Sequence, residues 1–452
     1  MLFVRGREVP TIAHDFGEVG LLTAPGSDRV VSRFSVDGET LRADVERTAT
    51  FGAVESETGR GRTALPGDAA NRAARDYLVE RLEETGLDVR VDAVGNVVGR
   101  WTPAGVDPET PAVAAGSHLD SVPRGGIFDG VLGVYAALEA VRAISASETA
   151  PDRPLDVVCF TGEEGTRFAD GVLGSTVAAG KRSVEDALAA TDGETTLEAA
   201  LDGIGYHGEG RLDASAWNAW LELHVDQSHD VADAGVPLGV VTDITGTSRI
   251  RVRIEGEADH AGTTAMGERR DALAAASEVV LELEAAATET ASDGTGAAVG
   301  TVGELTVEPN VVNVVPGAVS LRLDIRSIDQ REIQAMVDAV TDCLGRLEGE
   351  RGVETTVDRA YDVPPTPLAP RCQDALYAGA DRCGLGTTTL HSGAGHDTMQ
   401  VADVTDAGLA FVASNGHSHS PRESADWADC TAATRVLAES LWQLASTDRG
   451  DD

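Results

Sequence analysis

The sequence predicts an α/β chain: a main domain on a mostly parallel sheet with helices on both faces, plus an inserted α+β domain. Three observations predict it. From about residue 70, buried-strand and amphipathic-helix patterns alternate, as in a doubly covered parallel sheet. Near residue 246 the strands acquire one wet face, the mark of a layer covered on one side only. After the turn-rich VPPTPLAP at 363–370, the alternation of helix and strand returns. The domains therefore read as an N-terminal extension over 1–33, the main domain over 34–245 and 364–452, and the insertion over 246–363.

The elements follow in order. Residues 1–33 fit no element pattern and read as a loosely held extension. The stretch 69–85 reads as a helix, with Ala74, Leu78 and Leu82 on one face and Gly86 as its stop. Valine-rich strands lie in 88–100, and further strands at 112–117 and 155–160. Between the last two, a helix at 131–145 carries Val131, Val134, Leu138 and Val141 on one stripe. In the insertion, Ser248-Arg249-Ile250-Arg251-Val252-Arg253-Ile254 alternates polar and apolar residues. A helix at 270–288, strands near 298–307 and 317–326, and a helix at 329–348 complete that layer. A helix at 425–446 ends the pattern.

The net charge is −39, from 75 acidic and 36 basic residues, and Lys181 is the sole lysine. Such a field repels nucleic acid and anionic membranes, so neither is an expected partner. The carboxylates are spread along the whole chain, which points to solubility in high salt rather than to an acidic tail. The start, MLFVRGREVPTIAHDF, lacks an apolar signal region, and no window matches a membrane span. Cys159, Cys343, Cys372, Cys383 and Cys430 are odd in number and contain no CxxC, so they read as small buried hydrophobes in a reducing cytoplasm.

The chemistry gathers at strand ends. His118 closes a buried strand, and Asp129 lies beyond the glycine-rich SVPRGGIF, a loop flexible enough to fold back beside it. Asp120 is placed to hold the distal ring nitrogen of His118. The next strand ends in Glu163-Glu164, and adjacent carboxylates repel each other unless a cation neutralises one. Their side chains point different ways, so one is free to bind metal while the other faces a water molecule. An exposed acidic turn is the competing reading of that pair. His224 ends the strand within LELHVDQ, and His419 follows the strand LAFVA. Singly, each histidine reads as structural, but such convergence is hard to reach by chance with ten histidines in the chain.

The motifs GSHLDSVPRGGIFDG, FTGEEGTRF, LELHVDQ, HAGTTAM, VNVVPG, LDIR, SGAGHD and SHSPRE occur in an order that resembles the hydantoinase/carbamoylase amidases. That family lies within the aminoacylase and zinc-carboxypeptidase clan of dinuclear metallohydrolases. It includes N-carbamoyl-L-amino acid hydrolases, β-ureidopropionases and allantoate amidohydrolases. The resemblance runs from about 34 to 445. It implies that the main domain is catalytic and that the insertion is a lid and dimerisation domain. Asp129 would bridge two divalent ions per subunit, with His118 and His224 on one and Glu164 and His419 on the other. Such ligands suit Zn²⁺, Mn²⁺ or Co²⁺. Glu163 would be the general base.

For substrate, the resemblance assigns Arg326 and Asn313 to a carboxylate, and Gln227 and His396 to a carbamoyl group. His260 would reach across a homodimer interface to an oxyanion. Arg326 as a mere salt bridge and Asp259-His260 as a capping pair are the alternatives. Asp226 and Ser228 stand where relatives often have Glu and Gly, Ala265 replaces a usual proline, and His417 adds an imidazole beside His419. The expected activity is hydrolysis of the carbamoyl amide of an N-carbamoyl-L-amino acid. Allantoate and β-ureidopropionate are the nearest rival substrates. A dipeptidase or aminoacylase, or an inactive binding protein, are further rivals.

Overall fold

The computed structural model describes residues 32–169 and 171–446, so nearly all of the predicted extension over 1–33 lies outside the described residues. Among the described residues the largest sheet has nine strands. Its centre is parallel: Ala407–Val412, Ala219–Val225, Val113–His118 and Leu155–Phe160 lie side by side in that order. Each is buried along its whole length, as apolar strands covered on both faces must be. Antiparallel pairs flank this centre, with Val97–Trp101 and Asp88–Val91 on one side and Leu238–Ile244 on the other. The sheet is mixed overall and parallel at its heart.

Successive residues of the central strands feed two cores. Val113, Ala115, Val157 and Cys159 pack with the helices Val131–Ser145 and Trp427–Ala445 on one face. Ala114, Val158 and Phe160 pack with Trp217 and Trp220 on the other. The helix Val131–Ser145 is buried nearly all round rather than on the single stripe its sequence shows. The helices Gly38–Thr48 and Trp427–Ala445 cover its other sides, which local periodicity does not reveal.

Within the insertion, Val299–Glu308, Ala318–Ser327, Gly246–Glu255 and Glu354–Val363 form a separate antiparallel sheet in that order. Helices Ala272–Asp293 and Gln330–Arg351 pack on one face of it, over a core drawn from Ile250, Val252, Leu283, Ile325 and Met336 among others. Each helix starts on an aspartate, Asp271 or Asp329, whose carboxylate accepts a main-chain N–H of the first turn. The strand Glu354–Val363 was not anticipated, because ETTVDRAYDV offers too few apolar residues to show a period. The edge strand Val299–Glu308 leaves Val299 and Leu305 exposed. Among the described residues no helix is long and apolar enough to cross a membrane. All five cysteines are free, and Cys383 alone is not fully buried.

Candidate metal centre

The parallel strands deliver their side chains to one edge of the sheet, where loops leave it. His118 is the last residue of its strand, His224 lies one before the end of its own, and Glu163-Glu164 follow Phe160 within a turn. Asp129 returns on the glycine loop just before the helix Val131–Ser145. Gly130 makes that return possible. Its φ is +66°, and a Cβ there would lie 2.5 Å from Cε1 and Nε2 of His118. No other residue lets the loop close on the imidazole.

Asp129 sits at the centre with its two oxygens facing different partners. Oδ1 is 3.5 Å from His118 Nε2 and 3.2 Å from His224 Nε2. Oδ2 is 3.5 Å from His419 Nε2, and that nitrogen is 3.2 Å from Glu164 Oε2. The donor atoms of each set lie within 4.8 Å of one another. Ligands about 2.0–2.1 Å from a tetrahedral ion stand ~3.3 Å apart, so both sets fit a divalent cation. Glu222, His224 and His396 also cluster within 4.8 Å. That set shares His224, whose Nε2 already faces Asp129 at 3.2 Å, so it is not an independent third group.

Surrounding groups aim the ligands. His118 Nδ1 is 3.2 Å from the Asp120 main-chain oxygen and 3.8 Å from its carboxylate. Asp120 thus meets the ring through its carbonyl rather than through the carboxylate that its sequence position suggests. Its carboxylate is occupied instead by the N–H groups of Gly162, Glu163 and Glu164, and so clamps the turn bearing both glutamates. His224 Nδ1 faces the Val225 carbonyl at 3.0 Å, which leaves Nε2 turned toward Asp129. Ser418 donates to Asp129 Oδ2 at 2.8 Å. Glu423 went unassigned in the sequence, although SHSPRE contains it; its Oε2 accepts the N–H groups of Phe128 and Asp129. His419 has a φ of +58°, a strained conformation for a non-glycine residue.

The charges are strongly coupled. Burial alone would raise the Asp129 carboxyl, but His224 and His118 hold it well below the usual range. Burial alone would lower His224, but Asp129 pushes it up to about 9. For Glu163, burial pushes the carboxyl well above its ordinary value; His118 opposes this, while Glu164 and Asp397 add to it. Glu163 is thus a carboxyl of raised proton affinity beside the Asp129 cluster.

A cleft of roughly 230 Å³ opens over these groups and is lined by Asp129, Glu163, Glu164, His224, Gln227, Arg326 and His419, among others. Gln227 donates to Asp129 Oδ2 at 3.3 Å. His396 packs its ring 4.7 Å from that of His224. Arg326 reaches the cleft from the insertion, yet its Nε and Nη2 are engaged by Asp324 and its Nη1 donates to the Gly393 carbonyl. His260 and Asn313 do not line this cleft. They lie together at the exposed margin of the insertion, where the Ala261 N–H donates to the Asn313 carbonyl. His417 turns to His229, their rings 6.1 Å apart, and stands in neither ligand set around Asp129.

Residues 114–443 match the peptidase family M20/M25/M40. The chain is 38% identical over 407 residues to the N-carbamoyl-L-amino-acid amidohydrolase of Paenarthrobacter aurescens, covering 88% of this chain and 96% of that one. It is 34% identical over 368 residues to the allantoate amidohydrolase of Bacillus subtilis, covering 80% and 87% respectively. A crystal structure of a hydantoinase/carbamoylase family amidase from Burkholderia multivorans superposes with a TM-score of 0.84 at 33% identity, over 92% of this chain and 99% of that one.

Proposed function

This chain belongs to peptidase family M20/M25/M40, among the hydantoinase/carbamoylase amidases, and from that premise we propose its reaction. It is a hydrolase of carbon–nitrogen bonds other than peptide bonds. Its substrate is an N-carbamoyl-L-amino acid, whose carbamoyl amide takes up one water and yields the amino acid, ammonia and carbon dioxide. The observation that carries the reading is the division of Asp129, one oxygen toward His118 and His224 and the other toward the His419 side. Two divalent ions held there would acidify a water molecule and polarise the scissile carbonyl.

The chain's own groups do the rest. Glu163 takes the proton of the attacking water and passes it to the leaving nitrogen. Arg326 leaves Asp324 to clamp the substrate carboxylate, a task its planar fork suits. Gln227 and His396 face the carbamoyl end. Asn313 and His260 serve the cleft of a second copy, which makes the enzyme a homodimer joined through residues 246–363; the exposed edge strand Val299–Glu308 supports this. The charge of −39 and its even spread support a high-salt setting, and the five free cysteines a reducing, cytoplasmic one.

Allantoate and β-ureidopropionate remain the second reading, the former supported by the likeness to the Bacillus subtilis enzyme. The test is ammonia release in molar salt from a panel of N-carbamoyl amino acids, β-ureidopropionate, allantoate and dipeptides, each with Zn²⁺, Mn²⁺ and Co²⁺. Turnover of N-carbamoyl amino acids above all others supports the reading. Dipeptide cleavage without carbamoyl turnover overturns it.

A further inference from the structure

The loop from His118 to Gly130 is strapped on its outer side by residues 61–64. The Arg62 N–H donates to the Gly125 carbonyl at 3.0 Å, and the Ser121 N–H to the Ala64 carbonyl at 3.0 Å. The Ala64 N–H donates to the Ser121 hydroxyl, and the Arg124 N–H to the Thr63 hydroxyl, both at 2.9 Å. Arg62 adds a bond from its side chain. Its Nη2 donates to the carbonyl of Leu119, the residue between His118 and Asp120. One residue therefore ties the start of the loop, beside His118, to its later part, five residues before Gly130.

Arg62 is also out of place by ordinary rules. It is 0% exposed, and its Nε and Nη1 have no hydrogen-bond partner among the described residues. A sealed guanidinium with idle donors is costly unless opposing charge offsets it. The carboxylates whose charges act on it are Asp120, Glu164 and Asp129, all at the metal centre. Asp120, Asp129, Glu163, Glu164 and Glu423 make that centre rich in carboxylates, and Arg62 stands within electrostatic range of three of them.

We propose that Arg62 is a positioning residue of the metal centre: its guanidinium fixes the His118–Asp120 turn and sets a permanent buried cation against the acidic cluster. The proposal rests on the two-ion reading above. It touches no substrate atom and acts through the ligand loop.

The test uses the full chain in molar salt, with zinc as the probe and a chromophoric chelator as competitor. Arg62→Gln keeps a donor for Leu119 and deletes the charge. It is expected to weaken zinc binding by about tenfold or more, the usual cost of losing a group that supports metal ligands. The kcat should fall with KM unchanged, and the thermal midpoint of the metal-free protein should stay near wild type. Arg62→Lys should recover most of the zinc affinity. Unchanged or tighter zinc binding in Arg62→Gln overturns the proposal, and so does a lowered midpoint with zinc affinity intact. If Arg62→Gln fails to fold, Arg62→Lys decides: near-wild-type affinity supports the role and a tenfold loss overturns it. A wild type that takes up no zinc defeats the two-ion reading first and this proposal with it, an outcome separable from a defect confined to the variants.

Discussion

Replacing Gly130 by alanine adds one methyl group where the glycine loop closes on His118. The residue has a φ of +66° with ψ at −45°, outside the left-handed helical well, and such a conformation costs an L residue about 1–3 kcal/mol. The new Cβ would stand 2.5 Å from Cε1 and Nε2 of the imidazole. Ordinary carbon contacts are about 3.5–4.0 Å, so ring or loop must give way by about 1 Å. Metal–ligand distances tolerate only about 0.2 Å, which takes His118 out of reach of an ion it shares with Asp129. Gly130→Ala is therefore expected to fold with a stability loss of at least about 1–3 kcal/mol. It should bind one zinc ion tightly and the other weakly, and lose about 10²-fold or more in kcat, as a 1 Å misplacement does. Gly86→Ala is the control, because Gly86 has a φ of +81° and nothing within 4 Å of the added Cβ. It carries a positive-φ cost without the collision. Zinc stoichiometry by chelator competition, read beside thermal unfolding, separates the two variants. Wild-type filling of both positions in Gly130→Ala, or equal zinc loss in Gly86→Ala, would refute the packing argument.

Glu163→Gln keeps the side-chain shape and removes the proton acceptor, so zinc content should stay at wild type while ammonia release falls about 10²–10⁴-fold; activity within tenfold of wild type ends its assignment as base. Asp397 is buried with Oδ2 lacking a hydrogen-bond partner among the described residues, and burial followed by the charge of Glu222 pushes it up to about 8. The folded chain thus keeps a proton that the unfolded chain releases above about pH 4, and this group lowers stability as pH rises toward 8. Asp397→Asn should remove that slope, so its unfolding free energy relative to wild type should rise between about pH 5 and 8; a constant difference counts against the argument. With a net charge of −39, the thermal midpoint should climb with KCl as the screening length falls from about 10 Å at 0.1 M to about 3 Å at 1 M, and a flat profile would dismiss the high-salt reading. Leu305→Asp on the exposed edge strand should shift sedimentation from dimer to monomer and lower kcat; a fully active monomer removes the dimer.

Much of this protein is written in short windows. The period of Ala74, Leu78 and Leu82 marks a helix whose observed span is Ala69–Glu84, and LDVVCF marks the strand Leu155–Phe160. Such patterns are local because burial follows the repeat of a single element. Strand-end residues share that property: once a buried strand is recognised, its last residues name His118 and His224, and the turn after it names Glu163 and Glu164. What no window contains is how segments from distant parts of the chain divide their hydrogen bonds. Asp120 gives its carbonyl to His118 because three amides occupy its carboxylate. Glu423 reaches Asp129 across 294 positions of sequence, and Arg326 is engaged by its own strand neighbour Asp324. His260 and Asn313 resemble active-site residues in their motifs, yet packing puts them at the margin of the insertion. A motif records which groups are available, whereas their partners are chosen when the whole chain packs and each donor and acceptor competes for its neighbours.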